Sequence, residues 1–122
     1  MINQLTVMLY VTNVEETATF WETYLGFTRE QTLELGPSTS IVLGNNHNFS
    51  MQLFESDFIK QVSPEVSTET PSLMLKTTNL EVLHTKLKTA GTFVSDITDL
   101  GGQHTFNFAD NEGRYFACTE SN

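Results

Sequence analysis

At 122 residues and 39% hydrophobic content, the chain has the size and make-up of one globular domain with a real core, and no room for a second. A formal charge of −9 at pH 7 repels phosphate, which argues against nucleic acid and anionic membrane surfaces and leaves neutral or cationic partners. No stretch approaches the length that crosses a bilayer, and Met1-Ile2-Asn3-Gln4-Leu5 is not a basic segment leading into a long apolar run, so the chain reads as cytoplasmic. The single Cys118 suits a reducing compartment, excludes an intramolecular disulfide and reads as a buried small hydrophobe.

In chain order, Leu5, Val7, Leu9 and Val11 alternate with Thr6, Met8, Tyr10 and Thr12, a period of two that predicts a strand with one apolar face. Asn13 is placed to cap a following helix, with Glu15 and Glu16 at its positive end. Val14, Thr17, Ala18, Trp21 and Leu25 fall at helical spacing, Phe20 and Tyr24 widen the stripe, Trp21 belongs to the core, and Gly26 stops the helix. Residues 27–35, 39–43 and 48–55 then read as three strands, joined by turns at Gly36-Pro37-Ser38 and Gly44-Asn45-Asn46. Residues 56–71 are polar, carry Pro64 and Pro71 and read as a linker, with a short helix expected at 57–62.

The second half restates the first. Met74-Leu75-Lys76-Thr77-Thr78-Asn79-Leu80-Glu81 matches Met8-Leu9-Tyr10-Val11-Thr12-Asn13-Val14-Glu15 at Met, Leu, Thr, Asn and Glu, 66 residues on. A strand at 72–78, an Asn79 cap, a helix burying Leu80, Leu83, Leu87 and Ala90 and ended by Gly91, and strands at 92–97, 103–109 and 114–119 follow. Asp110-Asn111-Glu112-Gly113 is the turn between the last two. The expectation is an α+β fold of two βαβββ repeats, about 4–55 and 72–120 of a single 1–122 domain, forming a curved, cup-like mixed sheet with the helices outside.

With its Phe20-Trp21-Glu22-Thr23-Tyr24-Leu25-Gly26-Phe27 segment and its Phe106-Asn107-Phe108-Ala109-Asp110-Asn111-Glu112-Gly113 turn, this duplicated unit resembles the vicinal oxygen chelate superfamily. That group holds glyoxalase I, bleomycin-resistance proteins, fosfomycin-resistance thiol transferases and ring-cleaving dioxygenases. The resemblance implies a homodimer and, in the metal-dependent members, one His or Glu ligand on the first and last strand of each copy. The corresponding positions here are Thr6, Gln52, Ser72 and Ala117. An alcohol, an amide, a second alcohol and a methyl group supply neither the charge nor the basicity that a divalent transition metal needs. Shifting the register by one residue reaches Leu5, Val7, Leu73, Met51, Leu53, Phe116 and Cys118, at best one soft ligand. No metal, cofactor or catalytic residue is therefore expected.

What remains is a lined cup. Strand parity turns Thr6, Met8, Tyr10, Gln52, Phe54, Ser72, Met74, Lys76, Tyr115, Ala117 and Thr119 away from the helices. Met8, Tyr10, Gln52, Phe54, Met74 and Tyr115 are the candidate ligand contacts, an aromatic and thioether lining with a few hydrogen-bonding heads. His104, after Gly101-Gly102-Gln103, is added as a residue near the cup mouth, while His47 and His84 read as surface histidines. The pattern favours a small-molecule binding protein like the bleomycin-resistance type, for a ligand that is cationic or aromatic. The alternatives are a divalent-metal-dependent isomerase, lyase or thiol transferase, and a metal-free enzyme using Tyr10, Tyr115 or His104 as acid or base.

Overall fold

Which way the first strand turns its alternate residues sets the whole first half. A computed structural model of the chain describes residues 1–45 and 49–121; His47 and the end of the turn expected beside it lie outside the described residues. In β1 (Leu5–Val11), Leu9 and Val11 are fully buried while Met8 on the opposite side is 53% exposed, the expected division of faces. Asn13 follows in an extended conformation, and its Oδ1 accepts from the Glu16 amide at 2.9 Å, closing the start of α1 (Val14–Leu25). Gly26, at φ 73°, takes the left-handed conformation that ends the helix without a Cβ clash. Asn13→Ala should cost about 1 kcal/mol in urea denaturation. A change within experimental error would show that the amide is satisfied equally well by water.

From α1, Thr17, Ala18 and Trp21 are buried at the spacing the sequence predicts. The helix packs against β3 (Thr39–Gly44) and β4 (Phe49–Glu55), whose alternate residues Ile41, Leu43, Met51 and Leu53 are buried, as are Leu9 and Val11 of β1. With β2 (Thr28–Glu34) the strands run β1-β4-β3-β2, β1 parallel to β4 and the other pairs antiparallel. Arg29 ties β2 to the helix: its guanidinium donates to Glu15 at 2.8 Å and to Glu22 at 2.8 and 3.2 Å, and these partners raise its pKa. The pairing of β2 with β3 slips between Arg29 and Gln31, a bulge at Glu30. The linker opens with α2 (Ser56–Val62), the short helix expected there.

Residues Met1–Pro71 form one compact unit and Ser72–Asn122 a second. The second is built from β5 (Met74–Thr77), α3 (Leu80–Lys88), β6 (Thr98–Leu100), β7 (Gln103–Ala109) and β8 (Tyr115–Glu120). Its strand order, β5-β8-β7-β6 with β5 parallel to β8, is that of the first unit. Leu80 and Leu87 of α3 are buried with Phe106, Phe108, Phe116 and Cys118. The architecture is therefore α+β: two four-stranded mixed sheets, each carrying its helix on one face.

Three local expectations for this unit are corrected. Asn79 does not cap α3 with its side chain; its own amide instead donates to Thr77 Oγ1 at 3.2 Å. The helix stops at Lys88, short of Gly91, because the amides of Thr89 and Ala90 turn back to the carbonyls of Lys86 and Leu87. Residues 92–97 are not a regular strand. Phe93 and Ser95 run beside β7, but Ser95 Oγ takes the Asn107 amide at 2.9 Å, so a side chain fills a ladder position and regular pairing waits until β6.

Candidate functional site

Each sheet has one face covered by its helix and one that is not, and chemistry with a ligand belongs to the uncovered face. On the first sheet the register sets Met8 beside Gln52 and Tyr10 beside Phe54, with Val42 across from Gln52. The Tyr10 and Phe54 rings stack with centroids 6.0 Å apart, and the Tyr10 hydroxyl reaches Met8 Sδ at 3.8 Å. The structure thus brings Met8, Tyr10, Gln52 and Phe54 together as the alternation predicts.

Gln52 is held in a definite orientation. Ser40, fully buried, donates its hydroxyl proton to the Leu53 carbonyl at 2.7 Å. Ser40 Oγ can then only accept from Gln52, whose Nε2 lies 3.0 Å away. That fixes the amide and leaves Gln52 Oε1 as an acceptor with no partner among the described residues.

On the second sheet, Met74 lies beside Ala117, Asn107 lies on the far side of Ala117, and Tyr115 precedes them along β8. Tyr115 is 64% exposed and meets Phe93 edge to face at 5.8 Å. Ser72, Leu73, Asn107, Tyr115, Phe116 and Ala117 line a depression of about 210 Å³ on this unit. A larger hollow, about 520 Å³, lies along α3 between Glu81, Val82, Thr85, Lys86 and Thr89, away from the sheet. Asn107 is a lining residue that the sequence reading passed over. Its position opposite Ala117 follows from the pairing of β7 with β8, which one strand's periodicity does not contain.

His104 is not brought to that face. It shares parity with Phe106 and Phe108 on the helix side of β7, is more than half exposed, and sets Nδ1 3.7 Å from the carboxylate of Glu120, the last residue of β8. Its neighbours in the ladder place it there, since β7 alternates strictly from Gln103 onward. His84 is half-buried: its Nε2 lies 2.8 Å from the Ser95 carbonyl and its ring stands edge-on to Phe106 at 4.8 Å, which makes it a strut between α3 and the segment before β6. Cys118 is fully buried, and loss of hydration pushes its thiol up to about 12, the opposite of an activated nucleophile.

The fold's usual metal positions hold groups that do not fit a divalent transition ion. Thr6 Oγ1 shares a hydrogen bond with Ser50 Oγ at 2.9 Å, the Gln52 amide is committed to Ser40, and Ser72 and Ala117 contribute an alcohol and a methyl group. Among the described residues, no three His, Cys, Asp or Glu side chains are grouped to hold an ion. None of the described helices is long and apolar enough to cross a membrane.

A family model described as the Glyoxalase/Bleomycin resistance protein/Dioxygenase superfamily matches residues 2–117, through both units. Among solved structures the chain is similar to TnmS3, an antibiotic binding protein from Streptomyces sp. CB03234, with a TM-score of 0.80 and 14% identity over 100% of this chain and 98% of that one. It is similar to TioX from Micromonospora sp. ML1, with a TM-score of 0.80 and 13% identity over 96% and 97% of the two chains. A hypothetical protein from S. aureus, SA1046, gives a TM-score of 0.72 and 28% identity over 99% and 95%. No curated protein matches by sequence. The first two likenesses, at such identity, speak for the fold, and the family match covers nearly the whole length. By its strand order, repeated in each unit, and by that match, the chain belongs to the glyoxalase/bleomycin resistance protein/dioxygenase superfamily.

Proposed function

We propose that this protein binds a small, partly aromatic molecule without transforming it, on the uncovered sheet faces and without a metal centre. The observation that carries the reading is the make-up of those faces. Met8, Met74 and Tyr115 are each more than half exposed, Tyr10 stacks on Phe54, and Gln52 is oriented by Ser40 with one acceptor unpartnered among the described residues. Large apolar side chains left in water on one face, with sparse oriented polar groups, are what a noncovalent pocket needs: area for affinity and a few fixed bonds for orientation. The likeness to TnmS3, described as an antibiotic binding protein, supports the same class of ligand. The net charge of −9 favours a cation over an anion.

The enzymatic alternatives find less support. Among the described residues no acid or base is hydrogen-bonded to Tyr115, and His104 stands on the helix side of its sheet. The proposal includes a single folding domain, a homodimer and a cytoplasmic location.

Calorimetric titration of chelator-treated protein with nickel, zinc, manganese and ferrous ions, paired with an NMR screen of aromatic compounds, tests the reading. No saturable metal binding is expected. Aromatic hits should shift the Met8 methyl signal and lose roughly tenfold in affinity on Tyr10→Ala. Saturable binding near one ion per site, abolished by Gln52→Ala, would return the chain to the metalloenzyme branch.

A further inference from the structure

We infer that the depression on the second sheet is a subsite for a planar secondary amide, a lactam or an imide, formed where the pairing of β5 with β8 stops short; the inference deepens the small-molecule reading above and rests on it. The sequence predicts a strand from residue 72, yet regular pairing begins only at Met74 and Ala117. The Ala117 amide donates to the Leu73 carbonyl at 3.2 Å, so the odd-numbered residues of β8 turn their backbone groups toward β5. The next bond of that ladder would run from the Leu73 amide to the Tyr115 carbonyl. It is not made, and neither group has another partner among the described residues.

Both residues line the depression, together with Ser72, Asn107, Phe116 and Ala117. Phe116 turns its side chain to the helix side, where it is buried, so from the uncovered face a ligand meets its backbone. Ala117 contributes a low methyl floor, and the Tyr115 ring, met edge to face by Phe93 at 5.8 Å, stands beside it. Across Ala117 from β5, Asn107 adds a carboxamide, again one donor group and one acceptor. At about 210 Å³ the depression is smaller than the roughly 300–1,000 Å³ of a pocket for a whole drug-sized molecule, so it takes a ring and its amide.

In solution water meets the Leu73 and Tyr115 backbone groups. A ligand lying over them displaces that water and must return an acceptor for the Leu73 amide and a donor for the Tyr115 carbonyl, since an unmet group costs more than a made bond gains. A lactam offers both side by side in one plane; an ester, a ketone or an N-alkylated amide offers the acceptor alone. No charged side chain lines the depression, so an ion would lose hydration there without gaining a counter-charge.

Isoquinolinone, a ring-fused lactam, and its N-methyl derivative share their rings and carbonyl and differ in the N–H. Titrated by NMR into the full chain, the lactam is expected to bind roughly tenfold more tightly, and to move the Leu73 amide proton downfield as the subsite fills. Ala117→Val raises the floor without removing either backbone group, suits a strand, and should weaken both compounds. Equal binding of the two compounds, an unmoved Leu73 amide, or affinities unchanged in Ala117→Val overturns the subsite and leaves the small-molecule reading standing. Binding of neither compound also overturns the subsite, and the broader reading falls with it only if the screen of aromatic compounds finds no hit.

Discussion

Replacing Trp21 by alanine is expected to destabilise the first unit by about 3–5 kcal/mol, the range for removing a fully buried large aromatic from a packed core. Trp21 is fully buried on α1, meets Phe27 edge to face at 5.2 Å, and Phe27 in turn meets Phe49 at 6.0 Å, so one ring anchors the helix, the residue leading into β2 and the start of β4. The loss is a large share of the 5–15 kcal/mol that such folds typically possess. It should be followed by circular dichroism in urea, since Trp21 is the only tryptophan and its removal takes away the tryptophan fluorescence. Trp21→Phe should recover more than half of the loss. A cost under about 1 kcal/mol for alanine would mean that the helix is held elsewhere.

Removing the carboxylate of Asp110 should cost the second unit about 3 kcal/mol. Asp110 is 1% exposed. Its Oδ1 accepts from the amides of Glu112 and Arg114 at 2.9 and 3.0 Å, and its Oδ2 from the Arg114 guanidinium at 3.2 Å. Alanine leaves two backbone donors and part of a mostly buried guanidinium without this acceptor, and unmet buried donors cost about 1–3 kcal/mol each. Asp110→Asn keeps one acceptor oxygen and should cost about half as much. Trp21 fluorescence reports on the first unit, so the same urea series tests whether the two units unfold together. A shifted Trp21 transition in Asp110→Ala marks one cooperative domain, and an unshifted one marks two. Equal stability of both variants and wild type would reduce this turn to a solvent-exposed loop.

Much of this molecule is legible from residue spacing. Leu9 and Val11 turn inward where the alternation puts them, Asn13 caps α1 through its side chain, and Gly113 takes a positive φ of 83° in the turn that Asp110 organises. Periodicity is a local property and survives folding wherever one face is buried and the other wet. It failed where side chains compete with the backbone for hydrogen bonds. Ser95 intercepts a β7 amide, and Asn79 leaves the first turn of α3 uncapped, although the same residue type caps α1.

The candidate site divides along the same line. Met8, Tyr10, Gln52 and Phe54 share a face because strands alternate and β1 runs parallel to β4 in register. Asn107 could not be found that way, because its place depends on the partner strand. His104 stands on the helix side because the parity of the strand that it enters, not its glycine-rich approach, sets its direction.

By itself, the sequence determined the order of elements, the faces of most strands, and the absence of imidazole and carboxylate from the positions where this fold holds metals, since each follows from the identity and spacing of neighbours in the chain. Only the tertiary structure decided where Gln52 aims its carbonyl and that Asn107 lines the second sheet's depression. Those depend on Ser40 and Ala117, brought alongside by sheet register, and hydrogen-bond direction and strand pairing are properties of atoms meeting in space.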